Sequence, residues 1–166
     1  MTRLSLDDRD LKILSLLCRE GRISKTELAK RVNLSATPCW ERMKRLEEAG
    51  LIQGYRAEVE LTRIAPHVVV FVMVELENHR ADAFRLFENA VSLHDEITEA
   101  WALGGGFDYL LQVIARDIDA YQRVVDALLD SRVGMRRYFT YIVTKGVKSA
   151  PPPLELLAQP ERSEEK

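Results

Sequence analysis

At Pro66 the sequence changes its period, and that change limits the possible folds more than any other feature. Before it, apolar residues recur at spacings of three and four, the interval of a helix face. After it comes Val68-Val69-Val70-Phe71-Val72-Met73-Val74-Glu75-Leu76, a β-branched run expected of a buried strand. Residues 80–92 then read as a helix, with Ala83, Phe84, Leu86, Phe87, Ala90 and Val91 as its apolar side. Ile97 to Leu103 read as a strand, Gly104-Gly105-Gly106 as a sharp loop and Tyr109 to Ile114 as another strand. Asp117 to Asp130 form a second helical pattern, Gly134 breaks it, and Tyr138 to Thr144 make the last strand. The order β-α-β-β-α-β predicts an α+β domain with a ferredoxin-like sheet and both helices on one face. A sheet this apolar, covered on one side only, leaves a face in need of a partner. Face-to-face pairing of two copies would supply it.

Ahead of Pro66 the punctuation is that of three short helices. Asp7 can cap the first, with Asp8 and Asp10 in its first turn, where acids favour the positive end of the helix dipole. Leu11, Leu14 and Cys18 line its face, flanked by Ile13 and Leu17, and Gly21 stops it. Ser24-Lys25-Thr26-Glu27 reads as a capping box before a second helix that buries Leu28, Ala29 and Val32. Asn33-Leu34 turn the chain into a third helix. Ser35 is its expected N-cap, with the hydroxyl accepting from a free backbone N–H, and Pro38 falls in the first turn, where its missing N–H costs nothing. Gly50 closes the helix. Cys39, Met43 and Leu46 share its buried face, which leaves Ala36, Thr37, Trp40, Glu41, Lys44 and Arg45 outside. Three helices with a tight turn between the last two make a helix-turn-helix, whose last helix enters the major groove of DNA. Residues 51–61, with Gly54 and the alternation of Glu58, Val59, Glu60 and Leu61, suggest a short hairpin, the wing of a winged helix, or an extended connector. Arg56 there could reach a phosphate.

The boundaries expected are therefore 1–52 for a helix-turn-helix, 53–66 for a wing or linker strand, 67–148 for the ferredoxin-like domain and 149–166 for a proline-led, largely mobile tail. Leu154, Leu156 and Leu157 in that tail could dock on a partner. Charge follows this division: residues 1–50 carry a net +3 and the remainder −5 within a total of −2. A mildly basic head on an acidic body suits DNA contact by the head alone. Cys18 and Cys39 read as reduced core thiols, and two cysteines without CxxC spacing, with His67, His79 and His94 scattered, give no metal site. No nucleophile–base pair or carboxylate cluster points to an enzyme, and no cofactor is implied. The first residues lack a signal peptide's apolar core and no run approaches a membrane span, so a cytoplasmic protein without membrane contact is expected.

Ser35, Ala36, Thr37 and Pro38 sit at the helix start, nearest the base edges. Thr37 and Glu41 are placed for bases, Glu being able to accept from cytosine N4. Lys44 and Arg45 suit phosphate, which positions without specifying. Trp40 could pack on a sugar or a thymine methyl. Arg42, beside the buried stripe, either braces the helices or binds phosphate.

Taken in order, Leu6-Asp7…Asp10…Ile13-Leu14, Gly21-Arg22-Ile23-Ser24…Glu27-Leu28-Ala29, Leu34-Ser35…Arg42…Arg45-Leu46-Glu47…Gly50-Leu51-Ile52…Gly54-Tyr55 and Gly104-Gly105-Gly106-Phe107-Asp108-Tyr109-Leu110 resemble the Lrp/AsnC family, the feast/famine transcription regulators. The resemblance covers residues 6 to about 148. It implies a winged helix-turn-helix followed by a ferredoxin-like RAM domain, binding to double-stranded DNA, and a homodimer that assembles further to a tetramer or octamer. It also implies a small effector, commonly an amino acid or related metabolite, whose binding modulates DNA binding or assembly at genes of amino-acid metabolism. The family's effector loop matches Gly104, Gly105, Gly106, Phe107, Asp108 and Tyr109, and Thr140 and Tyr141 match positions tied to effector response. By itself, the glycine run reads as a tight turn, and Asp108 is either a turn cap or a counter-charge for an α-ammonium group. The rival reading within the family is an architectural DNA-binding protein that senses no effector.

Overall fold

The computed structural model describes residues 5–158. The first four residues of the leader reading and the charged end of the tail lie outside them. The chain forms two compact units, one through residue 58 and again from 148 onward, the other from 59 to 147.

In the first unit α1 spans Asp8–Arg19, α2 Lys25–Arg31 and α3 Ala36–Glu48. Asp7 caps α1 in a reciprocal capping box. The Asp10 N–H donates to Asp7 Oδ1 at 2.9 Å, and the Asp7 N–H donates to Asp10 Oδ2 at 3.1 Å. Ser24 Oγ accepts from the Glu27 N–H at 3.2 Å and starts α2. Asn33, at φ 56°, takes the left-handed bend that swings α3 across α2. Gly50, at φ 71°, ends α3 as a Schellman motif: the Leu51 N–H reaches the Leu46 carbonyl at 3.0 Å and the Gly50 N–H the Glu47 carbonyl at 2.9 Å. The small core is Ile13, Leu14, Leu28, Ala29, Val32, Cys39, Met43 and Leu46.

Three expectations change here, and one open alternative, hairpin or connector, takes the connector form. Ser35 occupies the N-cap of α3, but its hydroxyl makes no capping bond. Residues 53–60 are an exposed connector without strand pairing, closed by a 3-10 turn at Leu61–Arg63. Among the described residues of the unit no neighbouring strand is there to hold a wing hairpin. Cys18 is exposed while Cys39 is buried, because the buried stripe of α1 runs through Asp10, Ile13 and Leu14, one position out of phase with the expected face. In the tail, α6 (Leu154–Ala158) folds back so that Leu154 packs against the helix-turn-helix core, with Leu156 and Leu157 exposed.

In the second unit a four-stranded antiparallel sheet has the order β2-β3-β1-β4, formed by β1 Val68–Leu76, β2 Ile97–Ala102, β3 Tyr109–Ala115 and β4 Met135–Ile142. α4 (Ala81–Val91) and α5 (Ile118–Asp130) cover one face. β1 and β3 alternate as the pleat requires: Val70, Val72, Val74 and Leu76 with Tyr109, Leu111, Val113 and Ala115 face Phe87, Val91, Tyr121, Val125 and Leu128. β4 begins at Met135, three residues before the expected start, because Gly134 at φ 74° turns the chain straight into the strand. The opposite face shows Trp101, Phe139 and Tyr141, between 40% and 52% exposed. Among the described residues no helix is long and apolar enough to cross a membrane.

Candidate functional site

On α3 the buried stripe of Cys39, Met43 and Leu46 turns every other position outward. Ser35, Ala36, Thr37, Pro38, Trp40, Glu41, Lys44 and Arg45 are all exposed, as the sequence pattern requires, and Arg42 is half-buried. Lys44 lies 3.6 Å from Glu48, one turn on.

What fixes this face is a buried carboxylate. Asp10 is 1% exposed and lies under α3. Arg42 Nη1 donates to Asp10 Oδ1 at 2.8 Å and to Asp7 Oδ2 at 2.7 Å, and Arg45 Nη2 donates to Asp10 Oδ2 at 2.5 Å. Arg42 therefore braces α1 against α3. Arg45 divides its fork: Nη2 is spent on Asp10, while the side chain remains 46% exposed. The capping N–H of Asp10 and then Arg42 hold the Asp7 carboxyl below its ordinary 3.8. Asp10 was legible as a first-turn acid but not as a counter-ion. The available signal was its position three and four residues before Ile13 and Leu14, on the buried stripe, with two arginines three apart on α3.

A second contact absent from the sequence reading lies at the edge of this face. Lys25, the first residue of α2, places Nζ 3.4 Å from the centre of the Trp40 ring. At the C-terminal end of α3 the Tyr55 hydroxyl donates to Glu47 at 2.8 Å, and burial with that carboxylate pushes its pKa up to about 12.

In the second unit the glycine run 104–106 is exposed between β2 and β3. Phe107 meets Phe139 edge-on, with centroids 5.4 Å apart, on the open face of the sheet, where Tyr141 also lies. Arg137 stands 6.0 Å and 5.8 Å from the two rings and pairs with Glu75, which Arg136 also reaches at 3.0 Å. The Asp108 carboxylate reaches the end of β1: its Oδ2 accepts from the Leu76 N–H at 2.8 Å, and Oδ1 lies 3.0 Å from His79 Nε2. Tyr109 and Thr140 are on the helix-covered face instead. The Tyr109 hydroxyl donates to Glu88 at 2.7 Å, and burial with that carboxylate raises its pKa. Thr140 is hydrogen-bonded to the Tyr121 hydroxyl. The pleat thus separates the eight expected effector positions, keeping Phe107 and Tyr141 on the open face and sending Tyr109 and Thr140 to the other.

Comparison with known proteins follows this division. The Lrp/AsnC ligand binding domain matches residues 69–153, and a winged helix-turn-helix DNA-binding domain matches residues 6–53. The chain belongs to the Lrp/AsnC family. The chain is 51% identical over 145 residues to the transcriptional regulatory protein DoeX of Halomonas elongata, covering 87% of this chain and 92% of that one. Against the leucine-responsive regulatory protein of Escherichia coli K12 it is 41% identical over 145 residues, covering 87% and 88%. A transcriptional regulator from Neisseria meningitidis, solved as an L-Met complex, superposes with a TM-score of 0.85 at 34% identity, over 92% of this chain and 99% of that one. Like other members of the Lrp/AsnC family, the chain is a transcription regulator, not an enzyme: a DNA-binding helix-turn-helix joined to a domain for a small-molecule effector.

Proposed function

We propose that α3 reads the major groove through Ser35, Ala36, Thr37, Pro38, Trp40 and Glu41, that Lys44 and the free side of Arg45 meet phosphates, and that Arg42 acts from behind by holding the helix on Asp10. The observation that supports this most is the buried Asp10 under an otherwise exposed helix face. Base readout needs side chains held in one orientation, and the Asp10 ion pairs add to the apolar stripe in holding α3 that way.

The effector proposed is a free amino acid or a close metabolite. The L-Met complex of the Neisseria relative supports that class. Binding would use the exposed backbone of Gly104, Gly105 and Gly106 and the aromatic edge of Phe107, with Tyr141 on the same open face. Asp108 would keep the loop in shape by holding the Leu76 N–H. Two copies would pair through the open sheet face, where Trp101, Phe139 and Tyr141 leave a large apolar patch, and further assembly to a tetramer or octamer would place several DNA heads on one particle. Coupling then consists of an effector that binds one assembly or head arrangement better than another.

The test is a mobility shift on the DNA upstream of the protein's own gene, at fixed salt, with and without a panel of free amino acids at millimolar levels. One amino acid changing the shift would establish effector gating. A shift that no compound alters would favour the architectural reading.

A further inference from the structure

We propose that Lys25 and Trp40 form a composite reading element, in which Lys25 binds a DNA phosphate while its ammonium fixes the Trp40 indole so that the ring edge meets a thymine methyl group. The proposal rests on the placement of α3 in the major groove and adds to it a residue from α2 and a base.

The geometry is specific. Trp40 stands on the outward side of α3, 40% exposed. Lys25 comes from a different helix and covers one face of the indole at 3.4 Å. That is contact distance, at which the ring quadrupole attracts the cation. An exposed tryptophan on a lone helix would sample several rotamers. This one has a face already taken, which leaves the other face and the edge for a ligand. Lys25 makes no ion pair with a carboxylate among the described residues, whereas Arg31, Arg42, Lys44 and Arg45 all do. Its charge is therefore still unspent. In a helix-turn-helix the first helix of the motif crosses the DNA backbone while the second lies in the groove. A lysine at the start of α2 touching an aromatic on the outward face of α3 sits where those two environments meet. Apart from its single Nε1–H donor the indole is an apolar surface, so contact through its ring edge is selective for an apolar feature of the groove. The one apolar feature of the major-groove edge is the thymine methyl.

The experiment is enrichment of binding sites from randomised duplexes, followed by salt titration of the Kd. Wild-type protein is compared with Lys25→Met, Lys25→Arg and Trp40→Ala. The expected result has four parts. Wild type selects thymine at one position of each half-site, and replacing that thymine with uracil, which deletes only the methyl group, weakens binding by about fivefold. Trp40→Ala loses the selection at that position alone. Lys25→Met loses it too and lowers the salt slope by about 1. Lys25→Arg restores both. If Lys25→Met weakens binding uniformly and leaves the base preference intact, the coupling between the two residues is wrong. If uracil substitution costs nothing at any selected thymine, the methyl contact is wrong. A wild-type protein that enriches no sequence at all would instead overturn the groove placement of α3, and this element with it.

Discussion

Asp10 concentrates the argument at the scale of one residue. Its two oxygens serve a cap and two guanidinium groups, and among the described residues it is the one buried charged side chain. Asp10→Ala should strip both arginines of their shared partner. Because Arg42 and Arg45 keep access to water, the loss should be about 2 kcal/mol, at or below the low end for a broken buried pair. A shift of the denaturant midpoint measures it. Asp7 adds a pH dependence. Its carboxyl titrates below 3.8 in the folded chain, so its stabilisation is complete above that value and is lost as the pH falls through the lower folded one. Asp7→Asn should therefore flatten the acid limb of the stability curve. The thiols give a chemical check. Cys18 is exposed, and Cys39 is buried with its pKa raised by desolvation. One equivalent of an alkylating reagent should label Cys18 in the native protein, and Cys39 should react only on unfolding.

At the scale of the element, caps and turns carry the argument. Gly50 at φ 71° closes α3, and a β-carbon added there would meet nothing within 4 Å, so Gly50→Ala should cost about 1 kcal/mol through backbone strain alone. The midpoint of thermal unfolding of the full chain reports it. These signals were readable in advance, because a cap or a positive-φ glycine acts within four residues of itself. α6 was not. The proline-led approach predicts mobility, and only Leu154 against the helix-turn-helix core reveals that the segment is fixed. Leu154→Ala should lower stability by about 1 kcal/mol, the scale of a partly buried leucine, without touching the DNA-facing residues. Leu156→Ala, at an exposed position, should not.

For the whole molecule the open face of the sheet dominates. Phe139→Asp should place a charge among Phe107, Tyr141 and Arg137 and shift the assembly toward smaller species, which sedimentation would show; an unchanged distribution would rule out pairing through this face. Alkali probes the covered face. Tyr109 and Tyr121 are both raised above the ordinary 10, chiefly by burial. A raised pKa stabilises the fold fully below 10 and less and less as the pH climbs through the folded value. Their ionisation should coincide with unfolding of this unit when tyrosinate absorbance and circular dichroism are followed together.

The sequence by itself determined the three helices, the β-α-β-β-α-β order, the switch of period at Pro66 and the outward face of α3. All of these are set by neighbours a few residues apart, through pleat, helical repeat, caps and turns. Only the tertiary structure decided which partner each polar group takes. Asp10 meets arginines more than thirty residues away. Lys25 finds Trp40 across a helix turn, and Asp108 closes on Leu76 and His79. It also decided sidedness: the antiparallel register puts Thr140 opposite Val72 and Tyr141 opposite Phe71, so adjacent residues of one strand serve opposite faces. Such pairings depend on where distant segments are brought by packing, and no local pattern encodes them.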